Sequence, residues 1–221
     1  MPALSAWSME PLTGELYPGR TKYDRARAET YSRRNPRRNR EEARVLAGIL
    51  DGLPSGASAL DIPCGAGRIA PLLLERGHRV VCADLSADMI AKALESLGGR
   101  ARFLRADLLR LPLAPKSFDL AFSIRLFHHL GDPGVRMAML RELGRVARGK
   151  VVITFFHPVS FHNLQRWVER ILLGRRSPRV CFTARTLARE AAAAGLRLEC
   201  TRAVRAYAKD LWFAVLAPAA G

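Results

Sequence analysis

Short apolar segments with strand character alternate with amphipathic helical segments along most of this chain, and that alternation restricts the fold more than any other feature. Strand-like runs are "SALDIP" (58–63), "HRVVCADL" (78–85), "RARFLRADL" (100–108), "FDLAFSI" (118–124) and "KVVITFF" (150–156). Between them lie the helical patterns "GRIAPLLLERG" (67–77), "SADMIAKALESLGG" (86–99) and "DPGVRMAMLRELGRVARG" (132–149). Ser86 is a fitting N-cap, as is Asp132 with Pro133 in the first turn, and Gly98 and Gly149 stand where these helices stop. Such alternation predicts a parallel sheet covered by helices on both faces. The β-branched run "KVVITFF" fits a strand buried on both sides.

The C-terminal part departs from this rhythm. After a helical pattern in "FTARTLAREAAAAG" (182–195) come two strands, "LRLECTRAV" and "DLWFAVLAP", joined by a short polar connection. That connection forces them antiparallel, so the last strand runs against the general direction. At the other end, Val45, Leu46, Ile49, Leu50 and Leu53 fall at helical spacing and predict an amphipathic helix from Glu41 to near Gly52. Pro36 is expected to interrupt any earlier helix. The expected organisation is therefore a basic, flexible or helical N-terminal extension over 1–40. A single α/β domain over 41–221 follows it, with a lid-like insertion near 158–182.

With 221 residues the chain is long enough for one sizeable core. No apolar run reaches the roughly 18–20 residues of a membrane-spanning helix. The N-terminus lacks a basic start followed by an apolar block, so no signal peptide is expected and the cytoplasm is the default location. Cys64, Cys82, Cys181 and Cys200 form no CxxC pair, which argues against structural zinc and a disulfide framework. The net charge is +16, but 31 of the 36 basic residues are Arg. That skew reads as genomic composition as well as selection for an anionic partner.

Chemistry concentrates in "ALDIPCGAGRIAPLL" (59–73). Gly65 and Gly67 permit a sharp turn at the end of the first strand, where ligands bind in open parallel sheets. The GxGxxG/A match alone would also suit a nicotinamide or flavin enzyme. Three acids narrow the choice. Asp84 ends the second strand, where a carboxylate can accept both hydroxyls of a ribose. Asp61 lies inside the first strand, where a negative charge would offset an ammonium or sulfonium but do nothing for a pyrophosphate. Asp107 follows the third strand and suits an adenine amino group, with Met89 against a purine face. The alternative for Asp107 is a turn-forming role before "LLRLP", and for Met89 ordinary core packing.

Taken in order, "LDIPCGAGR", "VVCADLSADMI", "RADLLRLPLAPKSFDLAFSIRLFHHL" and "RELGRVARGKVVITFF" resemble the class I S-adenosylmethionine-dependent methyltransferases, over about residues 40–218. The resemblance implies a Rossmann-like, seven-stranded, mostly parallel sheet with its last strand antiparallel. It implies S-adenosylmethionine as cofactor. Asp61 and the loop Pro63, Cys64, Gly65, Ala66, Gly67 and Arg68 would face the methionine moiety. Asp84 would hold the ribose, Leu85 and Met89 the adenine, and Asp107 with Leu108 the adenine edge. Ser123 and Arg125, at the end of the fourth strand, complete the expected cofactor set, Arg125 as partner of a carboxylate. Pro63 stands where glycine is commoner in the family.

His128 and His129 follow the fourth strand, where acceptors enter in this family, and either suits a general base near neutral pH. The alternative is that one caps or fills the loop. Tyr31, His157 and Trp167 are candidates to contact the acceptor. The Arg33–Arg40 cluster, with Arg170, Arg175, Arg176 and Arg179, would form a basic rim for an anionic one. The function expected is methyl transfer to a small or medium-sized acceptor. The alternatives are RNA or another polyanion as acceptor, and a nicotinamide-dependent oxidoreductase. No "NPPY"-like motif follows the fourth strand, which counts against RNA.

Overall fold

The computed structural model describes residues 36–160, 180–205 and 210–219. Helix α1 spans Pro36–Leu50 and precedes β1, Ser58–Asp61. Then come α2 (Ala70–Glu75), β2 (Arg79–Asp84), α3 (Ala87–Leu97), β3 (Arg102–Arg105) and β4 (Phe118–Ser123). The chain continues through α4 (Pro133–Val146), β5 (Ala147–Phe156), α5 (Ala184–Ala193), β6 (Leu196–Ala203) and β7 (Leu211–Pro218). The seven strands form one sheet in the order β3-β2-β1-β4-β5-β7-β6. Strands β1 to β5 pair in parallel, and β7 pairs antiparallel with both β5 and β6. The last strand thus inserts against the general direction, as its short connection from β6 requires.

Alternating residues of the central strands feed two cores. Leu60, Ala121, Val151, Ile153 and Phe155 pack with Leu140 and Leu143 of α4 and Leu187 of α5. Ala59, Leu120, Phe122 and Val152 pack on the opposite face with Leu46 and Ile49 of α1, Leu73 of α2 and Leu97 of α3. Each of the larger of these side chains, Val, Leu, Ile or Phe, stabilises the fold by about 1.5–3 kcal/mol when fully buried. The two edge strands carry Arg102 and Arg105 on β3 and Arg197 and Arg202 on β6. Charged side chains there discourage pairing with another chain, and this gives part of the arginine excess a place in the fold.

Ser86 caps α3, its Oγ accepting the Met89 N–H, and Asp132 caps α4 through the Gly134 N–H. Two expectations change. Helix α1 starts at Pro36, not Glu41, so residue 40 lies inside a helix. Proline is accommodated because the first helical residue needs no N–H partner. Helix α4 ends at Val146, and Gly149 lies within β5. A Cβ on Gly149 would stand 2.4 Å from the Asp119 carbonyl oxygen, beside the register shift between Phe118 and Leu120. Glycine is needed there for close strand approach rather than to stop a helix.

Candidate functional site

The carboxyl ends of β1, β2 and β4 and the start of the β3–β4 connection meet around one pocket. The turn after β1 is built by backbone bonds. Cys64 N donates to the Ala83 carbonyl at 2.8 Å, tying the turn to β2, and Gly67 N donates to the Cys64 carbonyl at 3.1 Å. Gly65 and Gly67 both have positive φ, 54° and 74°. Gly65 lines the pocket. A Cβ on Gly67 would lie 2.8 Å from Leu97 Cδ1, so this glycine lets the turn pack on α3. The Cys64 thiol is held protonated by its hydrogen bond with Cys82 and by burial.

Asp84 closes the corner between two turns. Its Oδ2 accepts the Gly65 N–H and its Oδ1 the Ser86 N–H, each at 2.9 Å. Burial pushes its pKa up, and these backbone donors pull the other way. The carboxylate lines the pocket and has acceptor capacity beyond these two bonds. Asp61 is 1 % exposed and lines the same pocket, and its buried Oδ2 has no hydrogen-bond partner among the described residues. Burial raises its pKa well above the carboxylate range, against the pull of Arg68, and Asp84 adds to the rise. A buried carboxylate that lines a pocket and leaves one oxygen without a partner suits a cationic group.

That strain yields a prediction with a definite sign. The folded pKa of Asp61 exceeds its unfolded value, so the empty folded chain retains a proton that the unfolded chain has released. Its contribution lowers stability as pH rises above the ordinary carboxylate range. Asp61→Asn is therefore expected to raise the stability of the ligand-free protein at neutral pH by about 1–3 kcal/mol. The same change is expected to cost affinity for a cationic ligand. Denaturant titration and ligand titration of one preparation check both signs; a less stable Asn variant contradicts the assignment.

Pro63, Leu85, Met89 and Leu108 also line the pocket, with Ile62, Ile69, Ala106, Ile124 and Leu126 as apolar neighbours the sequence motifs did not single out. Ala66, Gly67, Asp107 and Ser123 are not among the lining residues. Asp107 Oδ1 accepts the Leu109 N–H at 2.9 Å, the geometry of a turn-forming aspartate between Ala106 and Leu108. Ser123 is fully buried at the end of β4.

The histidine pair divides. His129 lines the pocket, whereas His128 is buried and stacks on Phe156 with ring centroids 4.0 Å apart. His157 follows β5 and stacks on Trp212 at 4.5 Å, and burial lowers its pKa. Tyr31, Trp167 and the arginines Arg33, Arg170, Arg175, Arg176 and Arg179 lie outside the described residues.

Arg68 and Arg125 line the pocket and share a partner in Glu42 of α1. Arg125 has a positive φ of 63°, and its N–H donates to Thr154 Oγ1 at 2.6 Å. Glu42 looks, in sequence, like one acid among many at the start of an amphipathic helix. Only its long-range partners distinguish it.

Residues 59–150 match the family model described as a methyltransferase domain. An uncharacterized methyltransferase of Geobacillus kaustophilus is 39% identical over 89 residues, covering 40% of each chain. A malonyl-[acyl-carrier protein] O-methyltransferase of Salmonella typhimurium is 38% identical over 99 residues, 45% of this chain and 38% of its own length. The match thus spans about two fifths of the length of these curated relatives. The magnesium protoporphyrin IX methyltransferase of Synechocystis, solved with bound S-adenosylhomocysteine, has the same fold. Its TM-score is 0.68 at 15% identity, covering 82% of this chain and 84% of its own. The family match and the curated likenesses, together with the fold shared with this solved methyltransferase, agree with the resemblance that the ordered motifs carry to the class I S-adenosylmethionine-dependent methyltransferases.

Proposed function

We propose that this chain binds S-adenosylmethionine in the pocket between Asp61 and Asp84 and transfers its methyl group to a small or medium-sized acceptor. The observation that carries this reading is the buried Asp61 carboxylate, one oxygen of which has no partner among the described residues, in the lining of a pocket that Asp84 also lines. Asp61 suits the ammonium of the methionine moiety, and Asp84 suits the ribose hydroxyls. Leu85, Met89, Ala106 and Leu108 supply an apolar slot for adenine. The cofactor, when bound, supplies a methyl group already activated by the sulfonium. The protein's part is to orient the acceptor and to exclude water. His129, on the pocket wall, is placed to take a proton from an acceptor that must lose one. His128, stacked on Phe156, serves as its support.

The test is transfer of label from methyl-labelled S-adenosylmethionine to a panel of carboxylic acids, phenols, amines and structured RNA. Label on a small acceptor supports the reading. A second reading, RNA or another polyanion as acceptor, draws on the surface where Arg40, Arg44 and Arg205 gather around Glu41. Label on RNA, with binding that falls steeply as salt rises, would favour it. Label on neither, with the cofactor bound, contradicts both. No described helix is long and apolar enough to cross a membrane.

A further inference from the structure

Glu42 is 2 % exposed, and two guanidiniums converge on it. Its Oε2 accepts Arg125 Nε and Arg68 Nη1, each at 2.9 Å, and its Oε1 accepts Arg125 Nη2. Asn39, one turn earlier on α1, also accepts from Arg125 Nη2, at 3.3 Å. Arg68 follows the glycine turn and Arg125 follows β4, and both side chains reach the pocket that holds Asp61 and Asp84. Helix α1 thus sets a carboxylate behind the pocket wall, against the two cations that line it.

The charge balance of this cluster has a functional sign. Glu42 sets one negative charge against the two guanidiniums that line the pocket. Replacing it with a neutral residue makes the cluster one charge more positive, whatever the protonation of Asp61. S-adenosylmethionine carries a sulfonium, an ammonium and a carboxylate, one net positive charge. The demethylated product has lost the sulfonium charge and is neutral overall. The two ligands otherwise present the same adenine, ribose and amino-acid groups.

We propose that Glu42 is a specificity-determining residue that shifts this pocket's donor-to-product affinity ratio toward the cationic methyl donor, by offsetting one of the two arginine charges. The proposal rests on the cofactor reading given above. It ties ligand preference to the chemical step, because the favourable charge interaction disappears when the methyl leaves. Interactions of this kind, screened by protein and solvent, change affinity roughly five- to tenfold.

Calorimetric titration of the full chain with S-adenosylmethionine and with S-adenosylhomocysteine tests the idea through the ratio of the two dissociation constants. In Glu42→Gln the ratio is expected to move roughly five- to tenfold against S-adenosylmethionine, whereas Glu42→Asp, which keeps the charge, should leave it near that of the unsubstituted protein. Arg125→Gln should move the ratio the opposite way. Any contact of Arg125 with a carboxylate common to both ligands cancels in the ratio. Equal weakening of both ligands in Glu42→Gln would reduce Glu42 to a merely structural role and overturn the proposal. Should that variant fail to fold, Arg125→Gln carries the test, and an unmoved or oppositely moved ratio overturns it. If the unsubstituted protein binds neither ligand, the cofactor reading itself fails and this inference with it.

Discussion

Asp84→Ala is expected to weaken S-adenosylmethionine binding by at least about a hundredfold, the lower end of the scale for two lost charge-assisted hydrogen bonds at about 1.5–3 kcal/mol each. The carboxylate is nearly buried, at 8 % exposure, and already joins the Gly65 and Ser86 amides. Its removal therefore acts twice. The ribose loses its acceptor, and two backbone donors lose the group that holds the turns after β1 and β2 in register. Asp84→Asn keeps one carbonyl oxygen as an acceptor and should fall between alanine and the unsubstituted protein. Calorimetry on the folded variants decides; unchanged affinity in a folded Asp84→Ala protein contradicts the ribose assignment.

The second large effect concerns stability away from the pocket. Arg136 on α4 and Glu190 on α5 are 4 % and 8 % exposed. They form a two-pronged pair, with Arg136 Nε on Glu190 Oε2 at 2.8 Å and Nη2 on Oε1. Arg136 Nη1 donates to the Leu130 and Gly131 carbonyls at 2.8 and 3.2 Å, and its guanidinium lies over the Phe182 ring at 4.8 Å. One side chain thereby fastens α4, α5 and the loop that follows the two histidines. Glu190→Ala would leave a buried guanidinium without its counter-charge, an expected loss of about 3–5 kcal/mol. Urea denaturation reads this directly, and a loss below about 1 kcal/mol would show that the site rehydrates without cost. Replacing both partners with apolar residues of similar volume should recover most of the loss.

The features legible in sequence are those set by local pattern. Strand-like apolar runs, the caps at Ser86 and Asp132, the glycine turn and the placement of Asp61 and Asp84 at strand ends all depend on a few neighbouring residues. The direction of β7 followed from a connection too short to permit anything else. What the sequence hid was decided by distant partners. Glu42 meets Arg125 across 83 positions, and nothing near it separates it from a solvated helix acid. Gly149 imitates a helix stop, but its role is set by the Asp119 carbonyl on the neighbouring strand. His128 and His129 are adjacent in sequence, yet the turn from Phe127 to His129 sends one against Phe156 and the other to the pocket wall. Asp107 keeps its place after β3, but its side chain is engaged by the Leu109 amide.

Calorimetric titration of the unsubstituted protein with S-adenosylmethionine and NADH, side by side, decides which cofactor the pocket of Asp61 and Asp84 takes. The expected result is binding of S-adenosylmethionine at one site, with a micromolar dissociation constant, and no heat from NADH. Binding of NADH alone would contradict it, because Asp61 would then face a pyrophosphate that has no use for its charge.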